Sequence, residues 1–208
     1  MTSSDQPTVL IIDDDDRIRA AMQRLLKTVD LHSESFATPH DFLRHKLPEG
    51  PCCLVLDVRL PGMSGLDVQN KLNEAGVQIP IIFISGHGDI PMTVKAMKSG
   101  AFEFLTKPLR GQDLIDAIQQ ALSRWSETRQ QQRDLLELKK RYERLTERER
   151  EVMVLLVSGM ITKQIATRLG TSEIMAQVHR GHVMRKMQAS SPIELGRMAE
   201  RLKLPSIL

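Results

Sequence analysis

Five short β-rich runs recur along the first half of the chain, and each is followed by a stretch with helical spacing. The strands read at Val9–Asp13, His32–Phe36, Cys53–Asp57, Ile81–Ser85 and Phe102–Thr106. Helical patterns lie between them, at about 16–29, 39–45, 65–75 and 91–99, with one more beginning near Gln112. In the first, Ile18, Ala21, Met22, Leu25, Leu26 and Val29 recur at three- and four-residue steps, which puts them on one helix face. The runs VLII, CLVL and IIFI are apolar throughout, as strands covered on both faces are. Strands and helices in alternation predict an α/β fold, a doubly wound five-stranded parallel sheet. Ligands of such sheets sit beyond the carboxyl ends of the strands.

The pattern then changes. The stretch SRWSETRQQQRDLLELKKRYERL has no Gly or Pro and is rich in helix formers. Its Leu135, Leu138, Tyr142 and Leu145 step by three, four and three, the spacing of a short pairing seam; a solvated helical spacer reads equally well. Thr146-x-x-Glu149 is a capping box and predicts a helix to about Ser158, closed by Gly159. Further helices read at about Thr162–Leu169, Glu173–Met187 and Pro192–Leu202. The second and third of these four are joined by Gly170-Thr171-Ser172, a helix-turn-helix pattern. The expected organisation is therefore an α/β domain over 1–122, a helical linker over 123–142 and a small all-α domain over 143–208.

Composition narrows the function classes. No window approaches the about eighteen apolar residues of a membrane span, and MTSSDQPTVL has neither the basic nor the apolar region of a secretory signal. The two cysteines are the neighbours Cys52 and Cys53, inside an apolar run, which fits a reduced, cytoplasmic setting. The net charge of +3 hides an asymmetry. Residues 1–124 hold 13 Lys and Arg against 16 Asp and Glu, while residues 125–208 hold 16 against 10. Within the latter, residues 160–208 hold 8 against 3, so the basic excess concentrates on the helix-turn-helix. A surface of that sign suits nucleic acid.

The strand ends carry a coherent chemistry. The first closes on Asp13-Asp14, the third on Asp57, the fourth on Ser85, and the fifth just before Lys107-Pro108. Three convergent carboxylates repel one another unless a cation neutralises them, and oxygen ligands at an open edge suit Mg²⁺. A hydroxyl and an ammonium facing them can hold a phosphoryl group, and one carboxylate can accept it. The segments VLIIDDD, LVLDVRLPGMSG, IIFISGHGD and AFEFLTKP resemble the receiver domain of two-component response regulators, over nearly all of residues 7–122. The resemblance implies a flavodoxin-like fold and a phosphoryl group received by Asp57 from a partner histidine kinase. It implies Mg²⁺ on Asp13, Asp14, Asp57 and the Arg59 backbone carbonyl. Ser85 and Lys107 would face the phosphoryl group, Lys107-Pro108 would be cis, and Phe104 would be an aromatic switch. Asp15 and Asp16 read as the first turn of the following helix, favoured by its dipole. His87 and Asp89 sit beside Ser85 and read as a solvated loop, although His87 is also of a type that can serve as ligand or base.

On the third of the C-terminal helices, Ala176, Val183 and Met187 fall together at about 100° per residue and should enter the core. Ile174, Gln177, Val178, Gly181 and Arg185 form a separate face. There a Gln can pair with adenine and an Arg with guanine, while Lys163, Arg180, His182 and Lys186 can reach phosphates. The run from Leu145 to Met187 resembles the LuxR-type DNA-binding domain, which covers about residues 143–204. With the receiver, the chain resembles a FixJ/NarL-class transcriptional regulator, and GHGD leans to the FixJ side. That implies double-stranded DNA half-sites, a phosphorylation-dependent homodimer and, further off, RNA polymerase as partners. Ile90, Met92, Met97, Lys98 and Phe104 are candidates for the dimer face. One departure stands out: Met175-Ala176-Gln177 replaces the Thr-Val-Lys common before the Val-His pair. Two other classes compete. An aspartyl-phosphate hydrolase usually has a second carboxylate two residues after its nucleophile, where this chain has Arg59, and no substrate cap is evident. A receiver with a protein-binding helical output would also explain a weakly basic recognition face.

Overall fold

A computed structural model of the chain describes residues 6–86 and 90–204. Its elements run β1 (Thr8–Ile12), α1 (Asp16–Lys27), β2 (His32–Phe36), α2 (Pro39–Arg44), β3 (Cys52–Asp57), α3 (Gly65–Glu74), β4 (Ile81–Ser85), α4 (Ile90–Lys98) and β5 (Glu103–Thr106). Then come α5 (Gly111–Glu143), α6 (Glu147–Val157), α7 (Thr162–Leu169), α8 (Glu173–Met187) and α9 (Pro192–Arg201). The chain forms two compact units, Met1–Thr128 and Arg129–Leu208, and the division falls inside α5.

In the first unit all five strands are parallel, in the order β2-β1-β3-β4-β5. Successive residues of a strand point to opposite faces, so an apolar run feeds two cores at once. Leu10, Ile12, Leu54, Leu56 and Phe83 enter one. Val9, Ile11, Val55, Ile82 and Ile84 enter the other, against Leu26 of α1 and Leu114 and Ile118 of α5. Helix starts are locally encoded. Asp15 caps α1 by accepting from the Arg17 and Ile18 amides, and Ser64 and Asp67 form a capping box on α3. Cys52 and Cys53 are buried in β3, and burial pushes the Cys53 thiol up, away from reactive thiolate.

Helix α5 is a single helix of 33 residues, continuous through the stretch expected as a helical linker. Nothing in its sequence breaks it. Leu138 and Leu145 are buried in the core of the second unit, and Tyr142 packs against it. That core also holds Val152, Ile165, Ala176, Val183 and Leu195, so α6 to α9 close around one apolar centre. Thr146 and Glu149 form the capping box of α6, Gly170 ends α7 in the left-handed conformation (φ 61°), and Ser172 caps α8.

Candidate functional site

The carboxyl ends of β1, β3, β4 and β5 bring together side chains far apart in sequence. Asp13 follows β1 and is buried, Asp57 closes β3 and is buried, and Asp14 is exposed. One carboxylate oxygen from each of the three lies within 4.8 Å of the others. Lys107, just past β5, donates from Nζ to Asp57 Oδ2 at 2.5 Å and to Asp13 Oδ2 at 2.9 Å. The remaining carboxylate oxygens face backbone donors. The Asp15 amide donates to Asp13 Oδ1, and the Arg59 amide to Asp57 Oδ1, each at 2.9 Å. Ser85 is fully buried, and its carbonyl accepts from the Lys107 amide at 2.8 Å, which fixes the lysine beside the carboxylates. The Lys107-Pro108 bond is cis.

The electrostatics leave the cluster acidic, with three carboxylates against one ammonium. Burial raises the Asp13 carboxyl above its ordinary value, and the bonds from Lys107 and the Asp15 amide only partly offset this. For Lys107, burial pulls downward, but the bonds to Asp57 and Asp13 together outweigh it and hold the ammonium firmly charged. An all-oxygen, net-negative, partly open cluster has the donor chemistry of a hard divalent cation. Phe104 on β5 is half-buried and lies opposite Phe83, with ring centroids 6.3 Å apart. His87 and Asp89 lie outside the described residues.

The second unit presents a different surface. Ala176, Val183 and Met187 turn α8 inward, so the opposite face looks out. There Ile174 is 78 % exposed and Val178 41 % exposed, while Gln177 and Arg185 are exposed beside them. A Cβ on Gly181 would meet nothing within 4 Å. Thr162, at the start of α7, donates from its hydroxyl to Gln177 Oε1 at 3.2 Å and accepts from Arg180 Nη1 at 3.3 Å. Lys163 is exposed on α7.

Comparison with known proteins now decides the family. Residues 9–119 match the response regulator receiver domain, and residues 143–199 match the bacterial regulatory proteins of the luxR family. The chain belongs to the LuxR-type response regulators. Among its relatives are nodulation protein W of Bradyrhizobium diazoefficiens, 46% identical over 96% of this chain and 88% of that protein, and the response regulator TodT of Pseudomonas putida, 47% identical over 96% and 88%. The transcriptional regulatory protein FixJ of Azorhizobium caulinodans is 41% identical over 92% of this chain and 90% of its own length. The solved structure of response regulator StyR superposes with a TM-score of 0.83 at 43% identity, covering 94% of this chain and 99% of that one. A response regulator of this class is a phosphorylation-controlled, DNA-binding transcriptional regulator rather than an enzyme of metabolism, so the hydrolase reading falls away. Among the described residues no helix is long and apolar enough to cross a membrane.

Two of the residues expected at phosphates have another occupation in this regulator. Lys186 donates from Nζ to Glu149 Oε2 at 2.6 Å and to the Arg144 carbonyl at 3.2 Å, and His182 Nδ1 lies 3.5 Å from Glu149 Oε1. Glu149 is 3 % exposed, and a carboxylate so placed needs a countercharge. Thr162 was invisible to a reading based on residue type, because its role depends on a partner fifteen positions away on another helix. Arg19 was missed as well. Its Nη1 donates to the Asp13 carbonyl at 2.7 Å, and it also pairs with Asp16, so it braces the acidic turn from behind.

Proposed function

We propose that Asp57 is the phospho-acceptor of this regulator and that Asp13, Asp14, Asp57 and the Arg59 carbonyl hold Mg²⁺. The observation that carries this reading is the convergence of three carboxylates and one lysine at the ends of three parallel strands. Asp57 Oδ1 is tied to the Arg59 amide and Oδ2 to Lys107, so the carboxylate is oriented before a phosphoryl donor arrives. It attacks the phosphorus of a phosphohistidine on the partner kinase, the P–N bond breaks, and imidazole leaves. Mg²⁺, when bound, neutralises oxygen charge on the transferring group. Lys107 can then follow a phosphoryl oxygen rather than the carboxylate, and the Ser85 hydroxyl supplies a second donor. The same residues serve self-catalysed transfer and the later attack of water on the aspartyl phosphate, which returns the free Asp57 carboxylate and releases inorganic phosphate. The repacking of Phe104 links the site to the α4–β5 face, where Ile90 and Met97 are exposed, and that face favours a homodimer.

The output belongs to residues 143–208, with 1–122 as receiver and 123–142 as linker. Gln177, Val178, Gly181 and Arg185 meet base edges. Lys163 and Arg180, with the remaining donors of His182 and Lys186, meet phosphates. RNA polymerase is a further partner, and the setting is cytoplasmic. Trp125, buried in the first unit, reports on the first step. Acetyl phosphate or beryllofluoride with Mg²⁺ should shift its emission, and Asp57→Asn should abolish both the shift and the acid-labile phosphoprotein band. A phosphorylated Asn variant would refute Asp57 as acceptor.

A further inference from the structure

We infer that the sequence reader of α8 selects thymine, through its 5-methyl group and the neighbouring O4 acceptor. This rests on the DNA-binding reading above and names the edge it reads. The outward face of α8 is built from residues that cost the helix something. Ile174 and Val178 are β-branched and Gly181 is the weakest ordinary helix former, yet all three look away from the core. Packing among the described residues accounts for neither Gly181, whose added Cβ would find open space, nor Ile174, which is 78 % exposed, and Val178 is 41 % exposed beside them. They fall at i, i+4 and i+7, in one stripe. Exposed cations accompany it on the same two helices, Lys163 and Arg168 on α7 and Arg185 at the end of the stripe on α8, and their charge suits a phosphate-lined groove.

The polar member of the face has a fixed sense. The Thr162 oxygen accepts from Arg180, which leaves the hydroxyl proton for Gln177 Oε1. The amide carbonyl is thereby turned toward α7, and the NH₂ is the group left to face outward. Adenine would need Gln177 to donate and accept side by side. A donor next to branched apolar side chains instead matches the edge of thymine, which offers O4 beside its methyl. Gly181 keeps the helix surface low where the groove must approach. Thr162 is thus a positioning residue for specificity, acting through Gln177.

The test uses the full-length chain, phosphorylated with acetyl phosphate and Mg²⁺, and a pool of duplexes with a randomised core. After selection, the enriched duplex is rebuilt with deoxyuridine in place of single thymines, which removes the methyl and keeps O4. Each contacted position should lose about three- to five-fold in affinity, the transfer value of one methyl group. The loss should vanish in Ile174→Ala or Val178→Ala at the matching position, as a cycle of paired changes requires. Thr162→Val, checked for an unchanged melting temperature, should relax the selected motif at one base pair while leaving affinity for random duplex intact. An enriched motif indifferent to deoxyuridine overturns thymine selection and leaves DNA binding standing. Retention of the deoxyuridine effect in both alanine variants also overturns it, since DNA shape would then be the cause. Unchanged DNA selection in those variants would make the stripe a protein-docking surface instead. Recovery of no motif would sink the DNA reading and this inference with it.

Discussion

Gly65 shows how tightly the acceptor end of β3 is built. Its amide donates to the Val58 carbonyl at 2.9 Å, and a Cβ there would collide with the Asp57 carbonyl oxygen and stand 3.1 Å from both Leu56 Cγ and Phe83 Cε1. The collision is with backbone, so relief must move the strand end that carries the acceptor. Gly65→Ala should therefore cost about 1–3 kcal/mol of receiver stability, as overpacking does, and slow phosphorylation by acetyl phosphate. Urea unfolding and a phosphorylation time course check the two effects. Gly62 is the contrast, with φ 80° and open space around its missing Cβ. Gly62→Ala should cost only backbone strain, about 1 kcal/mol, and leave the phosphorylation rate nearly unchanged. Sequence pattern marks both residues merely as loop glycines. Which one is sterically obligatory depends on a carbonyl eight residues upstream, and no local signal carries that.

Elements divide in the same way between what was legible and what was not. Strands β1, β3 and β4 announce themselves because burial on both faces leaves the runs VLII, CLVL and IIFI wholly apolar, and Thr146 with Glu149 marks the start of α6 by local hydrogen bonding, whereas Asp15, which reads as a first-turn residue, is the cap of α1 itself. The Leu138–Tyr142–Leu145 stripe was not decidable from spacing, since a seam for a second chain and a seam for the chain's own core have the same period. Glu149 belongs to the second kind of fact. As a capping-box residue it was readable, but its pairing with Lys186 across 37 positions was not. Burial alone would raise its carboxyl, yet the bonds from Lys186 and the Thr146 amide hold it below the ordinary 4.5. A depressed folded value means stabilisation that is fully present above pH about 4.5 and is lost as pH falls through the folded value. Acid unfolding of the second unit should thus begin below pH about 4.5, and Glu149→Gln should flatten that limb while costing about 1–3 kcal/mol at pH 7. Circular dichroism against pH reads both. On α8, Gly181→Ala should do two opposite things. It should stabilise the unit by about 0.5–1 kcal/mol, because the position has room for a methyl and alanine is the better helix former, and it should weaken DNA binding. A variant that gained stability and kept full affinity would show that the helix does not approach DNA at that point.

At the scale of the whole molecule, the charge asymmetry becomes a statement about valence. Residues 160–208 carry 8 Lys and Arg against 3 Asp and Glu, but not all of that charge faces outward for use. Lys186 is engaged by Glu149, and Arg197, Arg201 and Lys203 belong to α9 and the chain after it, outside the helix-turn-helix of α7 and α8. Lys163, Arg168 and Arg180 remain as phosphate contacts for one copy, while Arg185 is kept for a base edge. Each neutralised phosphate contributes about −0.9 to the slope of log affinity against log salt, so one copy should give a slope of about −3. That is too few contacts for tight, specific binding by a monomer, and it is why control by dimerisation makes physical sense here. Two copies on adjacent half-sites should give about −5, with affinity that falls steeply between low and physiological salt. The unphosphorylated chain and Asp57→Asn should follow the shallow line, and the chain treated with beryllofluoride and Mg²⁺ the steep one. Fluorescence anisotropy on a selected duplex across a salt series measures the slopes, and sedimentation of the same samples measures the mass. A steep slope in the Asn variant, or equal slopes with equal mass in both states, would separate DNA binding from the chemistry at Asp57. If phosphorylation doubles the slope and the mass together, the carboxylates at one end of the sheet control how many copies of α8 engage the duplex.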